Sequence, residues 1–269
     1  MKANFLKHFF LAACILTLSS CTDRREDHSL SVDAYMKQGM PDPGKKWDMT
    51  DYTEAHNVLA KIKWERPFEL PAKDSEKSGL LFEHMISLDN FTFLQDSTMS
   101  LNVKAERISE FMRVYDYWID VYTNPTLKRN YYDREIIDIQ IFNLRLTEAM
   151  LNLAHKINRS DDPADIALQY GYRSIKGNYL TCLNNDLKTQ SHTSEFADQD
   201  LERMADSVFN SVMRNKEWMD SSEVSELKVS LHLVMDSTAS DYIRSKYKRL
   251  EEFLSEGDVS YLKSQYRTK

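Results

Sequence analysis

Asp138 and Glu148 are the residues of this chain whose type and spacing come nearest to acid–base chemistry. With Arg134, Arg145, Asn152 and Lys156 they form one stripe, spaced by three, four and seven, on an otherwise apolar segment. Two carboxylates on one helix face can act as acid and base when a cleft covers them. The same stripe pairs Arg134 with Asp138 at i,i+4 and Arg145 with Glu148 at i,i+3, the arrangement of a solvated face. That is the reading adopted unless another helix packs over it. Seven histidines lie scattered at 8, 28, 56, 84, 155, 192 and 232. No HExxH or Glu-x-x-His occurs, and Glu54–His56 and Glu83–His84 are two and one apart, which diverge around a helix. Phosphate-binding glycine loops and GxSxG are absent, so no catalytic residue, metal or cofactor is assigned.

Two regions are candidate recognition surfaces. Tyr170, Tyr172, Arg173 and Tyr179 stand beside Gly171 and Gly177, placing amphipathic aromatics next to pliant backbone; core tyrosines with satisfied hydroxyls are the competing reading. In WERPFEL, Trp64 and Phe68 flank a proline-constrained loop, where apolar groups either staple the loop to the domain or meet a partner. Cys182, between Leu180 and Leu183, reads as a small buried hydrophobe.

Cys21 has chemistry of another kind. Residues 1–21 read MKANFLKHFFLAACILTLSSC: a basic start at Lys2 and Lys7, an apolar run from Phe9 to Leu18, then Ser19, Ser20 and the thiol. The run is too short for a good transmembrane helix. Leu18-Ser19-Ser20-Cys21 resembles the lipobox of bacterial lipoproteins, and the resemblance covers residues 1–21 only. It implies cleavage between Ser20 and Cys21, thioether acylation of Cys21 with palmitate-type chains, and a lipid anchor in the cell envelope. The outer membrane is the favoured location, with the leaflet left open. Several acyl chains, each contributing about 0.8 kcal/mol per buried CH₂, anchor durably where one would not.

Loss of residues 1–20 removes Lys2 and Lys7 from 35 basic residues, leaving 33 against 42 acidic ones, a net of −9. Such a chain lacks the basic face that displaces counter-ions from phosphates, which excludes nucleic acid as a partner. It also repels anionic lipid, which suits a domain held off the membrane. Cys14 leaves with the signal and Cys21 carries lipid, so Cys182 has no intramolecular partner and the domain rests on its apolar core. At 42% hydrophobic the chain can supply one, while only 6 Gly and 6 Pro are too few for the turns of a sandwich or barrel.

The elements that would position these residues are helical. Residues 21–50 are charge-dense and carry Gly39, Pro41, Pro43 and Gly44; they read as a flexible tether of roughly 30 Å root-mean-square span, up to about 95 Å extended. From 51 to 269 the pattern is all-α, an irregular bundle of about seven helices, with two half-bundles divided near 160 as the alternative. The stretch 131–158 is apolar nearly all round, as a central helix is. Asp162-Pro163 opens another helix, and 195–217 and 239–255 show strong helical periodicity. Residues 221–235 fit both strand alternation and a helix, and helix is taken. The functional expectation is a non-enzymatic, lipid-anchored envelope protein that binds another protein as an adaptor or accessory subunit. An immunity-type inhibitor of a toxin entering the periplasm is the alternative. A cryptic hydrolase or small-molecule binder is the third reading, and a deep pocket with convergent acids would favour it.

Overall fold

Asp48 sets where the first long helix begins. Its carboxylate accepts from Thr50 N and Asp51 N while Asp51 accepts from Asp48 N, a capping box that satisfies open amides of the first turn. The computed structural model describes residues 26–123, 131–158, 172–192 and 196–255, without the side chains of 114–116, 172 and 173. Ser20, Cys21, Tyr170 and the expected helix start at Asp162–Pro163 lie outside the described residues. Among the described residues there are nine α-helices, eight of seven or more residues, and no strand. They are α1 (Val32–Met36), α2 (Met49–Glu65), α3 (Gly79–Met85), α4 (Leu101–Tyr122) and α5 (Asp133–Asn158), then α6 (Tyr172–Ser191), α7 (Asp198–Asn215), α8 (Ser221–Ser237) and α9 (Asp241–Ser255). The expected all-α irregular bundle is the fold.

Helix α5 is apolar on most sides because each side meets a different partner. Ile139, Phe142 and Leu146 join a core with Leu59, Ile62 and Trp118 of α2 and α4. Ile137, Leu144 and Leu151 join a second core with Leu183, Val208, Leu231 and Leu250 of α6–α9. Met150, Leu153 and Ile157 pack on Ala105 and Ile108 of α4. The division near 160 does not describe this arrangement, since the two main cores meet on α5 itself.

The ambiguous stretch 221–235 is helix α8, started by a capping box between Asp220 and Glu223. Leu227, Leu231 and Val234 face the core, whereas Val229 and Leu233 point outward, each 61% exposed. Those two outward residues produce the strand-like alternation.

The tether expectation is corrected from residue 26 onward: residues 26–48 form a strap packed on the domain. Ser31 caps α1, Tyr35 is fully buried, and Met40, Pro41 and Trp47 are buried as well. Tyr35 Oη donates to Glu69 O. Trp47 is held twice: Nε1 donates to Asp42 O at 2.9 Å, and its amide to Asn90 Oδ1 at 3.0 Å. Of the glycines and prolines read as flexibility, Gly39, Pro43 and Gly44 stand in turns and Pro41 is buried. Gly39 ends α1 at φ +98, a left-handed conformation that side chains disfavour. The large apolar groups Tyr35 and Trp47 outweigh the entropy of fixing the polar residues between them.

Candidate functional site

Helices α4 and α6 both pack on α5, and between them runs a groove of ≈ 430 Å³ with α5 as its floor. From α6 come Asn178, Thr181, Cys182 and Asn185, whose spacings of three, four and seven put them on one face. From α4 come Ser109, Met112 and Arg113, and the floor is Asn143, Thr147 and Met150. Asn143 Nδ2 lies 3.7 Å from Cys182 Sγ, and Thr147 turns its hydroxyl back to its own helix, donating to Leu144 O at 2.9 Å. The lining has no aspartate, glutamate or histidine, so it does not supply the convergent acids that a hydrolase reading asks for. Three carboxamides, each with two donors and an acceptor, match the donor–acceptor pattern of a peptide backbone. The rise from Asn178 to Asn185 is about 10 Å, the length of about three extended residues.

The Asp138–Glu148 stripe is the second arrangement; its solvated reading holds for Arg145, Asn152 and Lys156, which are exposed, and is corrected for the two carboxylates. Helix α7 packs beside Asp138 and Glu148 and leaves each residue 7% exposed. Asp138 pairs with Arg203 of α7 and with Lys73 Nζ at 2.5 Å, not with Arg134. Glu148 receives Arg214 Nε at 2.5 Å, Arg214 Nη2 at 2.8 Å and Ser211 Oγ at 3.2 Å. Arg134 reaches Asp74 and Asp200 instead. Burial disfavours the Arg203 charge, but hydrogen bonds from Arg203 to Asp200 and Asp138 outweigh it and hold the guanidinium above its usual range. Ten helical residues separate Asp138 from Glu148 by about 15 Å, too far for one acid–base pair. Asp138 and Glu148, with Arg203 and Arg214, form an ion-paired clamp between α5 and α7.

The residues singled out for recognition fall in different places. Tyr179 is 1% exposed, its Oη 3.0 Å from Ser211 Oγ, because its face of α6 is covered by α7. It is a core tyrosine and leaves the recognition set; burial raises its pKa. Tyr172 and Arg173 open α6 with side chains outside the described residues. The loop divides its apolar groups. Leu70 is fully buried and staples it, whereas Trp64 at the end of α2 and Phe68 are 70% and 44% exposed. Cys182 is half-buried, packing against the second core and lining the groove as well. The groove amides were not found from sequence. Their one trace is Asn178 and Asn185, seven apart on one helix although asparagine is a poor helix former.

Among the described residues no group of three or more His, Cys, Asp or Glu side chains could hold a metal ion. No helix there is long and apolar enough to cross a membrane. No protein-family model, curated protein or solved structure matches the chain.

Proposed function

We propose that this chain is a lipid-anchored cell-envelope protein whose helical domain binds another protein, as an adaptor or accessory subunit. The anchor is acylated Cys21, freed by cleavage after Ser20, in the outer membrane by preference. The groove between α4 and α6 takes an extended segment of the partner. The observation that carries the binding reading is the set of three carboxamides, from Asn143, Asn178 and Asn185, along one groove. Such amides recognise main chain with little regard to side-chain sequence, and Met112, Met150 and Ile175 add adaptable apolar contacts.

The test is cross-linked affinity capture of the acylated protein from intact cells, in native and Asn178→Ala/Asn185→Ala forms. Both substituted positions are exposed, so the fold is kept. A stoichiometric partner held by the native protein and lost from the variant is the expected result, and the partner's identity separates adaptor from inhibitor. A partner retained equally by both forms removes the groove from the reading. A Cys21→Ser protein that still matures and fractionates with membrane removes the anchor.

A further inference from the structure

We propose that the domain sits directly on the bilayer with the Phe68 turn at the lipid headgroups, an inference that rests on acylation of Cys21. Asp27 is six residues from Cys21, and it already belongs to the fold. Its carboxylate accepts from Ser29 Oγ at 2.5 Å and Ser75 Oγ at 2.8 Å, and its carbonyl from Lys77 Nζ at 3.0 Å. One residue earlier, the Glu26 carbonyl accepts from Tyr131 Oη at 3.3 Å. The chain from the acylated residue to Asp27 therefore reaches at most about 20 Å, and about 13 Å on average as free coil. A globule of this size has a radius of gyration of about 17 Å. A uniform globule with that radius of gyration has an outer radius of about 22 Å, so a leash of at most about 20 Å keeps the end that holds Asp27 toward the membrane.

That end carries an aromatic group. The Phe68 ring lies 6.2 Å from His28, edge-on, and 5.0 Å from Tyr131. The turn beneath it is fixed: Tyr132 Oη accepts from Leu70 N at 3.1 Å and donates to Pro67 O at 3.0 Å, and Arg66 Nη2 donates to Gln38 Oε1 at 2.6 Å. A half-exposed phenylalanine on a rigid turn, two residues after Arg66 (paired with Glu69 at 2.9 Å) and packed on His28, whose neighbour Asp27 holds Lys77, has the make-up of an interfacial anchor. The acidic balance of the chain makes the fitting surface zwitterionic rather than anionic.

The experiment uses acylated protein in a Cys182→Ser background, reconstituted into phosphatidylcholine–phosphatidylethanolamine vesicles with or without bromine on the upper acyl carbons. A thiol-reactive fluorophore is placed at Phe68→Cys, at Lys77→Cys, which leaves the aromatic turn intact, and at Val229→Cys on α8. Flotation is read first, then quenching. The expected result is flotation of all three, loss of fluorescence to bromolipid at 68 and 77, and none at 229. Protein that floats but is quenched equally at all positions, or at none, overturns the orientation and leaves the anchor standing. Protein that does not float overturns the anchor and the orientation with it.

Discussion

Replacing Asp186 with asparagine should change how stability depends on pH more than any other single substitution in the second core. Asp186 is 3% exposed on α6, and its Oδ2 has no hydrogen-bond partner. Its neighbours satisfy one another: Tyr247 Oη donates to Gln190 Oε1 at 2.6 Å, and Gln190 Nε2 donates to the Asp186 carbonyl at 3.2 Å. Burial alone pushes the carboxyl well above its usual range. The sign follows from proton counting. Below the unfolded value, near pH 4, both states hold the proton and the group is neutral in the balance. As pH rises above that value the unfolded chain releases a proton that the folded chain keeps. Stability then falls by about 1.4 kcal/mol per pH unit until the folded carboxyl ionises.

The Asp186→Asn protein has no such linkage. Its own unpaired amide costs about 1–3 kcal/mol at every pH, so the slope, not the offset, is the test. The assay is urea unfolding of both proteins, begun at Thr22, at pH 4, 5, 6 and 7. The difference between them cancels the other titrating groups, including His56 and His84, which burial holds below their usual range. The variant should gain on the native protein by about 1.4 kcal/mol per unit over the first units above pH 4. Parallel curves, or a native protein that gains on the variant as pH rises, would refute the reasoning.

Three further substitutions probe the clamp, a helix start and the strap. Arg214→Ala leaves Glu148 buried with Ser211 alone; because Arg214 is half exposed, the loss should be about 2 kcal/mol, between an exposed pair and a fully buried one. Urea midpoints should show that loss and its partial recovery when Glu148→Gln is added, and a loss indistinguishable from zero would dismiss the clamp. Asp220→Ala should lower stability by about 1 kcal/mol in thermal unfolding while Asp220→Ser stays near native, since only the cap of α8 changes; equal losses would remove the capping explanation. Gly39→Ala makes only an ordinary van der Waals contact, with Val58 Cγ2 at 3.8 Å, but places a side chain at φ +98, at a cost of about 1–2 kcal/mol. Amide exchange at Met40 should quicken, and an unchanged rate would mean that the turn does not hold the strap.

The helices were legible where one face was apolar and the other charged. Periodicity alone located α7 and α9, because their buried residues recur at three and four, whereas α5 was legible as a central helix from apolar residues on most sides. The strap was misread because its composition is that of a linker while its packing depends on two residues. Tyr35 and Trp47 are single large groups in polar surroundings, and only the pocket formed by distant residues such as Glu69 and Asn90 gives them a place. Local composition carries no trace of that pocket. The groove escaped notice for a related reason: Asn143 and Asn178 stand on different helices, and nothing in either segment says that α4 and α6 flank α5.

The clamp shows what kind of information was missing. Asp138 and Glu148 are ten residues apart on α5, and their partners Arg203 and Arg214 are eleven apart on α7. Both pairs run in the same direction, so the two helices lie parallel, with α6 making the return between them. A rise of about 15 Å on one helix meets about 16.5 Å on the other, close enough for two charge pairs to fix one register and penalise a slip by a turn. Within α5 alone, the local alternatives Arg134–Asp138 and Arg145–Glu148 satisfy the same charges at ordinary spacing, and sequence offers no ground for preferring the distant partners. What decides between them is desolvation. Once the apolar face formed by Leu201, Met204, Val208 and Val212 of α7 closes on α5, the two carboxylates lose water, and Arg203 and Arg214 are the cations that arrive with the covering helix. The hydrophobic match places α7, and the charges then select its register.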